Sequence, residues 1–382
     1  MTPYRIVRAA AGAAIGIVLI AALYGGLERL GWRLPPVDAG TSSVHCSLMI
    51  PGFFGAVIGV ERAVALTTGA RRRARLAFAG PALCALGALL LVIDPGGAAG
   101  RLALTGGSFA LVCVYAAVIW RQPTLFTVTM GAGAYALLIG NALWSSGEPI
   151  SDIVHWWIAF LVLTIVGERL ELARMIRPTR GRTAAFAAAA LLYLGGVAAA
   201  SINLDLGTRL AGAGMLALAA WLARYDIARR TVRQRGLTRF IAVCLLAGYS
   251  WLAISGGLAL VRGFGGAAYS YDAILHSVLL GFVFSMIFGH APIIIPAVAR
   301  LAVPYHPRFY AHLALLHASL ILRVGGDLAS DPVARRWGGL GNEIALVLFL
   351  LMTALAVASA SRVSRPGAAL HSVSPASPSI NR

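Results

Sequence analysis

The chain has 382 residues, of which 59% are hydrophobic and 12% charged, with a mean hydropathy of +0.80 and a formal net charge of +18. These values exclude a soluble globular domain and a disordered chain. The basic charge does not indicate a nucleic-acid partner either, because no soluble module is present to read bases.

Twelve apolar segments recur from end to end, each long enough to cross a hydrocarbon core of roughly 30 Å. They lie near 9–26, 43–60, 77–93, 102–120, 124–144, 152–167, 183–202, 207–223, 239–261, 272–298, 309–323 and 342–360. Arg5 and Arg8 precede the first, as in a signal peptide. No small-x-small cleavage site is clear before Leu34-Pro35-Pro36, so the segment is expected to stay as a helix. Basic residues, all arginine, gather in alternate loops: Arg71, Arg72, Arg73 and Arg75; Arg174, Arg177, Arg180 and Arg182; Arg229, Arg230, Arg233 and Arg235. Cytoplasmic loops collect such residues, which predicts both termini in the cytoplasm of a bacterial-type inner membrane. The same clusters would meet anionic lipid headgroups. Residues 364–382, rich in Ser, Pro and Ala, read as a disordered cytoplasmic tail that includes His371.

The fold class expected is an all-α integral membrane protein, a single domain over 1–363 with twelve transmembrane helices. It divides into thirds of four helices, about 1–121, 122–235 and 236–363, suggesting a pseudo-threefold repeat. The second helix of each third supports the division. His45-Cys-Ser-Leu-Met49-Ile-Pro-Gly52-Phe runs on to Gly59-Val-Glu61-Arg62; His155-Trp156-Trp157 to Gly167-Glu168-Arg169; and His276-Ser-Val-Leu-Leu-Gly281-Phe282 to Gly289-His290. Each opens with histidine on the outer side and closes with glycine and an ionisable group on the inner side. An α-helical count puts His276 and His290 on one face, roughly 21 Å apart, and Arg169 below His155.

An ionisable side chain within a membrane span is a candidate functional group. His45, Met49, Gly52, Ala56 and Gly59 form one helical stripe, whose small residues would let a flat macrocycle or a neighbouring helix approach. A haem held between two helices needs one imidazole from each at matching depth, which His45 and His276 supply; His155 is a third at that depth. A single histidine at a helix end is otherwise an interfacial or hydrogen-bonded residue, and Trp156 and Trp157 fit an aromatic belt around His155. His45, Cys46 and Met49, with His276 and His155, also offer a mixed ligand set for copper. Cys84, Cys113 and Cys244 lie in apolar spans and read as small buried hydrophobes.

An inner polar site is expected from Glu61, Glu168, Arg169, His290, His312 and His317, serving a proton relay, a quinol head, a second metal or plain hydrogen bonds. His312 and His317 are five residues apart, about 140° around a helix, too far round to chelate one ion. His306 reads as a solvated loop residue and Asn141 as a packing polar. Arg335-Arg336-Trp337, placed in the loop before the last span, offer guanidinium groups for carboxylates; a solvated pair beside Asp327 and Asp331 is the alternative.

Twelve spans in three four-helix thirds, with histidines opening helices two, six and ten, resemble the catalytic subunit of haem–copper oxidases. The resemblance implies that His45 and His276 hold a low-spin haem b, that His155 matches a copper ligand, and that Arg335 and Arg336 meet haem propionates. It stops at the oxygen-reducing binuclear centre: helix seven carries no histidine and helix ten lacks a His-x-His. The segments His45-x3-Met49-x2-Gly52-Phe53 and His276 with Met286-Ile287 are also similar to the NnrS family of haem- and copper-associated membrane proteins linked to nitric oxide stress. The function expected is therefore a membrane haem protein that binds or responds to a diatomic ligand such as nitric oxide, or exchanges electrons with a quinol or another electron-transfer protein. Copper handling and secondary transport are the alternatives; transporter sites lie near the midplane between halves, which a division into thirds does not match.

Overall fold

The computed structural model of the chain describes residues 3–35, 40–67, 76–173, 179–264 and 268–363. Pro36, the arginines Arg71, Arg72, Arg73, Arg75, Arg174 and Arg177, and the tail 364–382 with His371 lie outside the described residues. Within them every regular element is helical.

Twelve helices are long and apolar enough to cross a membrane, which makes this a multi-pass membrane protein. They are α1 Gly12–Arg29, α2 Thr41–Thr67, α3 Leu76–Ile93, α4 Ala98–Arg121, α5 Leu125–Ser145, α6 Ile150–Ala173, α7 Arg180–Ala200, α8 Leu204–Tyr225, α9 Gly236–Arg262, α10 Tyr269–Ala299, α11 Phe309–Ala329 and α12 Pro332–Ala360. Several begin at a side-chain cap. Thr124 and Thr127 form a reciprocal capping box at the start of α5, and the Asn203 side chain accepts from Leu206 N at 3.0 Å ahead of α8.

The largest departure from the expected boundaries is at α12, which begins ten residues before the apolar run at 342. Asp331 Oδ1 accepts from Val333 N at 2.9 Å and Ala334 N at 3.2 Å, with Pro332 at the first helical position. Arg335, Arg336 and Trp337 therefore belong to the first turns of a helix, not to a loop, and a two-residue connection joins α11 to α12.

Helices consecutive in the chain pack side by side, and α1 contacts α12. The second helix of each expected third is drawn furthest inward. The buried share is 61% for α2, 83% for α6 and 67% for α10, against 28% to 33% for α1, α3, α4, α7 and α12. Helix α10 touches both α2 and α6. Trp156 and Trp157 are buried in this centre instead of forming an interfacial belt, whereas Cys113 is exposed on the outside of α4. Small residues allow the outer helices to approach closely: a Cβ on Gly212 would meet Gly256 O at 2.6 Å across the α8–α9 contact.

Two central helices change pitch. Leu48–Phe54 of α2 and Ser277–Phe284 of α10 are π-helical, each just past its histidine, while α6 is α-helical throughout. Such segments are rare and concentrate at functional sites. Wider turns lag behind an α-helical count, so residues beyond them rotate to another face. His276 consequently meets α11 while His290 meets α6, and the expectation that they share a face fails. In the regular α6, His155 and Arg169 do both turn toward α8 and α10.

Candidate functional site

Polar side chains collect in two layers separated by apolar packing, in which Phe54 of α2 lies 5.5 Å from Phe284 of α10 between ring centroids. The first layer is built around His45 and His276. His45 Nδ1 lies 2.6 Å from Ala22 O of α1, and His276 Nδ1 lies 2.9 Å from Asp272 O one turn earlier. A carbonyl oxygen only accepts, so each Nδ1 carries the hydrogen and each Nε2 presents a lone pair. Gly26 makes room for the first ring: a Cβ there would stand 3.0 Å from His45 Cε1 and 3.1 Å from Glu343 Oε1.

Asp272 is the hub of this layer. Its Oδ1 lies 3.2 Å from His276 Nδ1, and its Oδ2 lies 3.1 Å from Arg323 Nη2 and 3.3 Å from Arg335 Nη2. Arg323 Nη2 also donates to His276 Nε2 at 3.1 Å. Arg335 Nε is 3.0 Å from Asp327 Oδ1, whereas Arg336 stacks over the Trp32 ring at 4.1 Å. The expected arginine pair thus splits between a buried ion-pair network and an aromatic face. Asp272, Arg323 and Glu343 escaped sequence reasoning, whereas Asp327 does stand beside Arg335, as the alternative reading of that pair had it. The legible signal for those missed was charge within apolar helices, the same criterion that singled out the histidines.

The donor chemistry fits a haem. Two imidazoles on α2 and α10 have Nδ1 tied to carbonyls in one half-buried layer, and guanidinium groups that suit propionate carboxylates stand beside them; Nε2 of His276 accepts from one of these, Arg323, which a propionate would draw away. Other expected ligands are placed elsewhere. Among the described residues no three His, Cys, Asp or Glu side chains gather as a metal site. His155 does not join His45 and His276. It is buried, with neither ring nitrogen partnered, and lines a separate, mostly apolar pocket with Tyr193, Thr208, Met215, Ser255 and Ile274. The stripe of Gly52 and Gly59 is likewise used for helix packing, since Cβ atoms there would meet Ala88 and Pro81 of α3.

The second layer joins the far ends of the three central helices. Arg62 Nη2 of α2 lies 2.6 Å from both Glu61 and Glu168, tying α2 to α6. Arg169 bonds Asp226 through Nε at 2.9 Å and Nη2 at 3.2 Å, and its Nη1 lies 3.2 Å from His290 Nε2, tying α6 to α10. His290 Nδ1 donates to Met286 O at 2.6 Å. Asp226 was not foreseen; it follows α8 and also accepts from Ala228 N at 2.7 Å.

His312 and His317 stay outside this network. His312 is buried with both nitrogens unpartnered, amid the rings of Phe240, Phe288, Phe309 and Phe349, the nearest centroid 4.6 Å away. His317 Nδ1 accepts from Trp251 Nε1 at 3.0 Å and stacks on that ring. Asn141 is the expected packing polar, its Nδ2 donating to Leu104 O at 3.2 Å.

Fold and site together define a twelve-helix multi-pass membrane protein with two polar layers, one centred on paired histidines and one on paired arginines. The chain belongs to the DUF8744 family, described as a domain of unknown function, whose profile matches residues 8–359. No curated protein matches the chain significantly.

Proposed function

We propose that this protein is a membrane haem protein in which His45 and His276 would hold a haem b. The observation that carries the reading is the matched pair of Nδ1 bonds to the Ala22 and Asp272 carbonyls. Metal-ligating histidines usually donate their second ring nitrogen in this way, which fixes the tautomer and aims Nε2 at the metal. Arg323 and Arg335 are the groups assigned to the propionate carboxylates, with Asp272 holding both in place. A bound haem would supply one-electron redox chemistry, and a diatomic ligand such as nitric oxide would bind it only in place of one of the two imidazoles.

The chain's own residues orient the ligands and keep the layer partly closed to water. Exchange of electrons with a quinol or a partner protein, or a response to nitric oxide, remains the class of activity proposed. The helix arrangement supports a pseudo-threefold plan, since the innermost helices are the second, sixth and tenth. On the distribution of arginine the termini are assigned to the cytoplasm and the histidine layer to the outer half of a bacterial-type inner membrane. The resemblance to haem–copper oxidases and the NnrS family agrees with this reading. The bare helix seven gives no basis for an oxygen-reducing centre.

The test is the absorption spectrum of the purified full-length protein with parallel iron and copper analysis. A Soret band, lost or shifted in both His45→Ala and His276→Ala, supports the assignment. Copper without haem, lost in Cys46→Ser, would replace it with copper handling.

A further inference from the structure

The second layer holds more negative charge around Arg62 than that guanidinium can balance. Glu61 and Glu168 come from different helices yet both place a carboxylate oxygen 2.6 Å from one atom, Arg62 Nη2. Arg169, the next residue on α6, is held in a two-point bond by Asp226, itself buried. Among the described residues, the other titratable groups around the triad are Tyr115 of α4, Glu171 of α6, Tyr249 of α9 and His290 of α10. None of these adds a permanent positive charge.

Two further features indicate that something is shared at this point. Tyr115 is buried and faces Arg62, Glu61 and Glu168, and its hydroxyl has no partner. Arg62 Nε is also buried without an acceptor. The Glu61, Arg62 and Glu168 side chains, in contrast, retain 24%, 16% and 27% exposure, enough for water to reach the carboxylates. Two carboxylates crowded into one site do not both ionise readily; aspartic proteases resolve the conflict by sharing one proton.

We propose that Glu61 and Glu168 share one exchangeable proton, making the Glu61–Arg62–Glu168 triad a proton-binding site between α2 and α6. Binding converts one carboxylate to a carboxylic acid, the proton coming from water, and release returns it there; no redox partner takes part. Tyr115 and Arg62 Nε are the groups placed to hold a bridging water. The site is separate from the histidine layer, and its test does not depend on haem.

Infrared difference spectroscopy of the full-length protein in lipid nanodiscs, stepped in pH and exchanged into deuterated buffer, reads the proton directly. The expected result is the carbonyl band of a protonated carboxylic acid with a deuterium shift. It should disappear in Glu61→Gln or Glu168→Gln and persist in Asp205→Asn, whose exposed carboxylate pairs with Arg209 on α8. If either glutamine variant fails to fold, Glu61→Asp or Glu168→Asp should shift the band rather than remove it. A wild-type spectrum without an acid carbonyl, or a band unchanged in all variants at 61 and 168, overturns the proposal. So does a melting temperature that rises with sodium at fixed ionic strength while the acid band is absent, since a metal cation would then be neutralising the pair.

Discussion

Arg323 Nη2 lies 3.1 Å from His276 Nε2 and 3.1 Å from Asp272 Oδ2, so one guanidinium bridges a candidate axial ligand and the carboxylate that orients it. Asp272 in turn touches Arg335 and the far side of the His276 ring. Removing its charge should disturb ligand and propionate contacts together. Groups that orient metal ligands typically contribute 10–100-fold in affinity. Asp272→Asn is therefore expected to weaken haem retention by about that factor, measured by haem transfer to an acceptor protein, with the helical content unchanged.

Gly26 tests the seat of the other histidine. Its missing side chain leaves space that a methyl group would take from His45 Cε1 and Glu343 Oε1, at 3.0 and 3.1 Å. Gly26→Ala should tilt the His45 ring and shift the Soret maximum or weaken haem binding. Gly12→Ala on the same helix, where nothing lies within 4 Å, should leave both unaltered.

The Arg169–Asp226 pair is the most buried ion pair in the second layer, with side-chain exposures of 4% and 1%. Breaking a buried pair strands one charge, at a cost of roughly 3–5 kcal/mol. Arg169→Ala should lower thermal stability by an amount in that range. The double variant with Asp226→Ala should cost less than the sum of the two single changes, as a thermal double-mutant cycle would show.

His155 provides the contrast with the proposed haem ligands. Both its ring nitrogens are buried without partners among mostly apolar neighbours. An unpaired buried polar group costs about 1–3 kcal/mol, a cost that an apolar side chain of similar size does not carry. His155→Leu is expected to keep the haem spectrum intact and to leave the melting temperature unchanged or raised.

The twelve helices were legible because each apolar run is long and helices in lipid must satisfy their own backbone polar groups. The polar far ends of the central helices were legible as well: Glu168 meets Arg62 beside Glu61, and Arg169 meets His290. The local pitch was not. A residue count assumes an α-helix, and nothing in Leu48–Phe54 or Ser277–Phe284 marks a π-helix by composition alone; its register follows from packing against neighbours. That change of pitch misdirected the pairing of His276 with His290, whereas Gly52 and Gly59 do admit a neighbouring helix. The partners of Asp272 were hidden for another reason. Arg323 and Arg335 lie 51 and 63 residues away, and helical spacing carries no information about contacts between helices. The start of α12 was missed because Asp331-Pro332 caps a helix whose first turns are polar.

The most direct test of the central claim is the absorption spectrum of the full-length protein, purified after expression with haem precursor and compared with its His45→Ala and His276→Ala variants. The account predicts a Soret band of a six-coordinate low-spin haem that each substitution abolishes or converts to a five-coordinate spectrum, while His155→Leu leaves it unchanged. A protein that takes up no haem, or one whose spectrum survives both alanine substitutions, would contradict it.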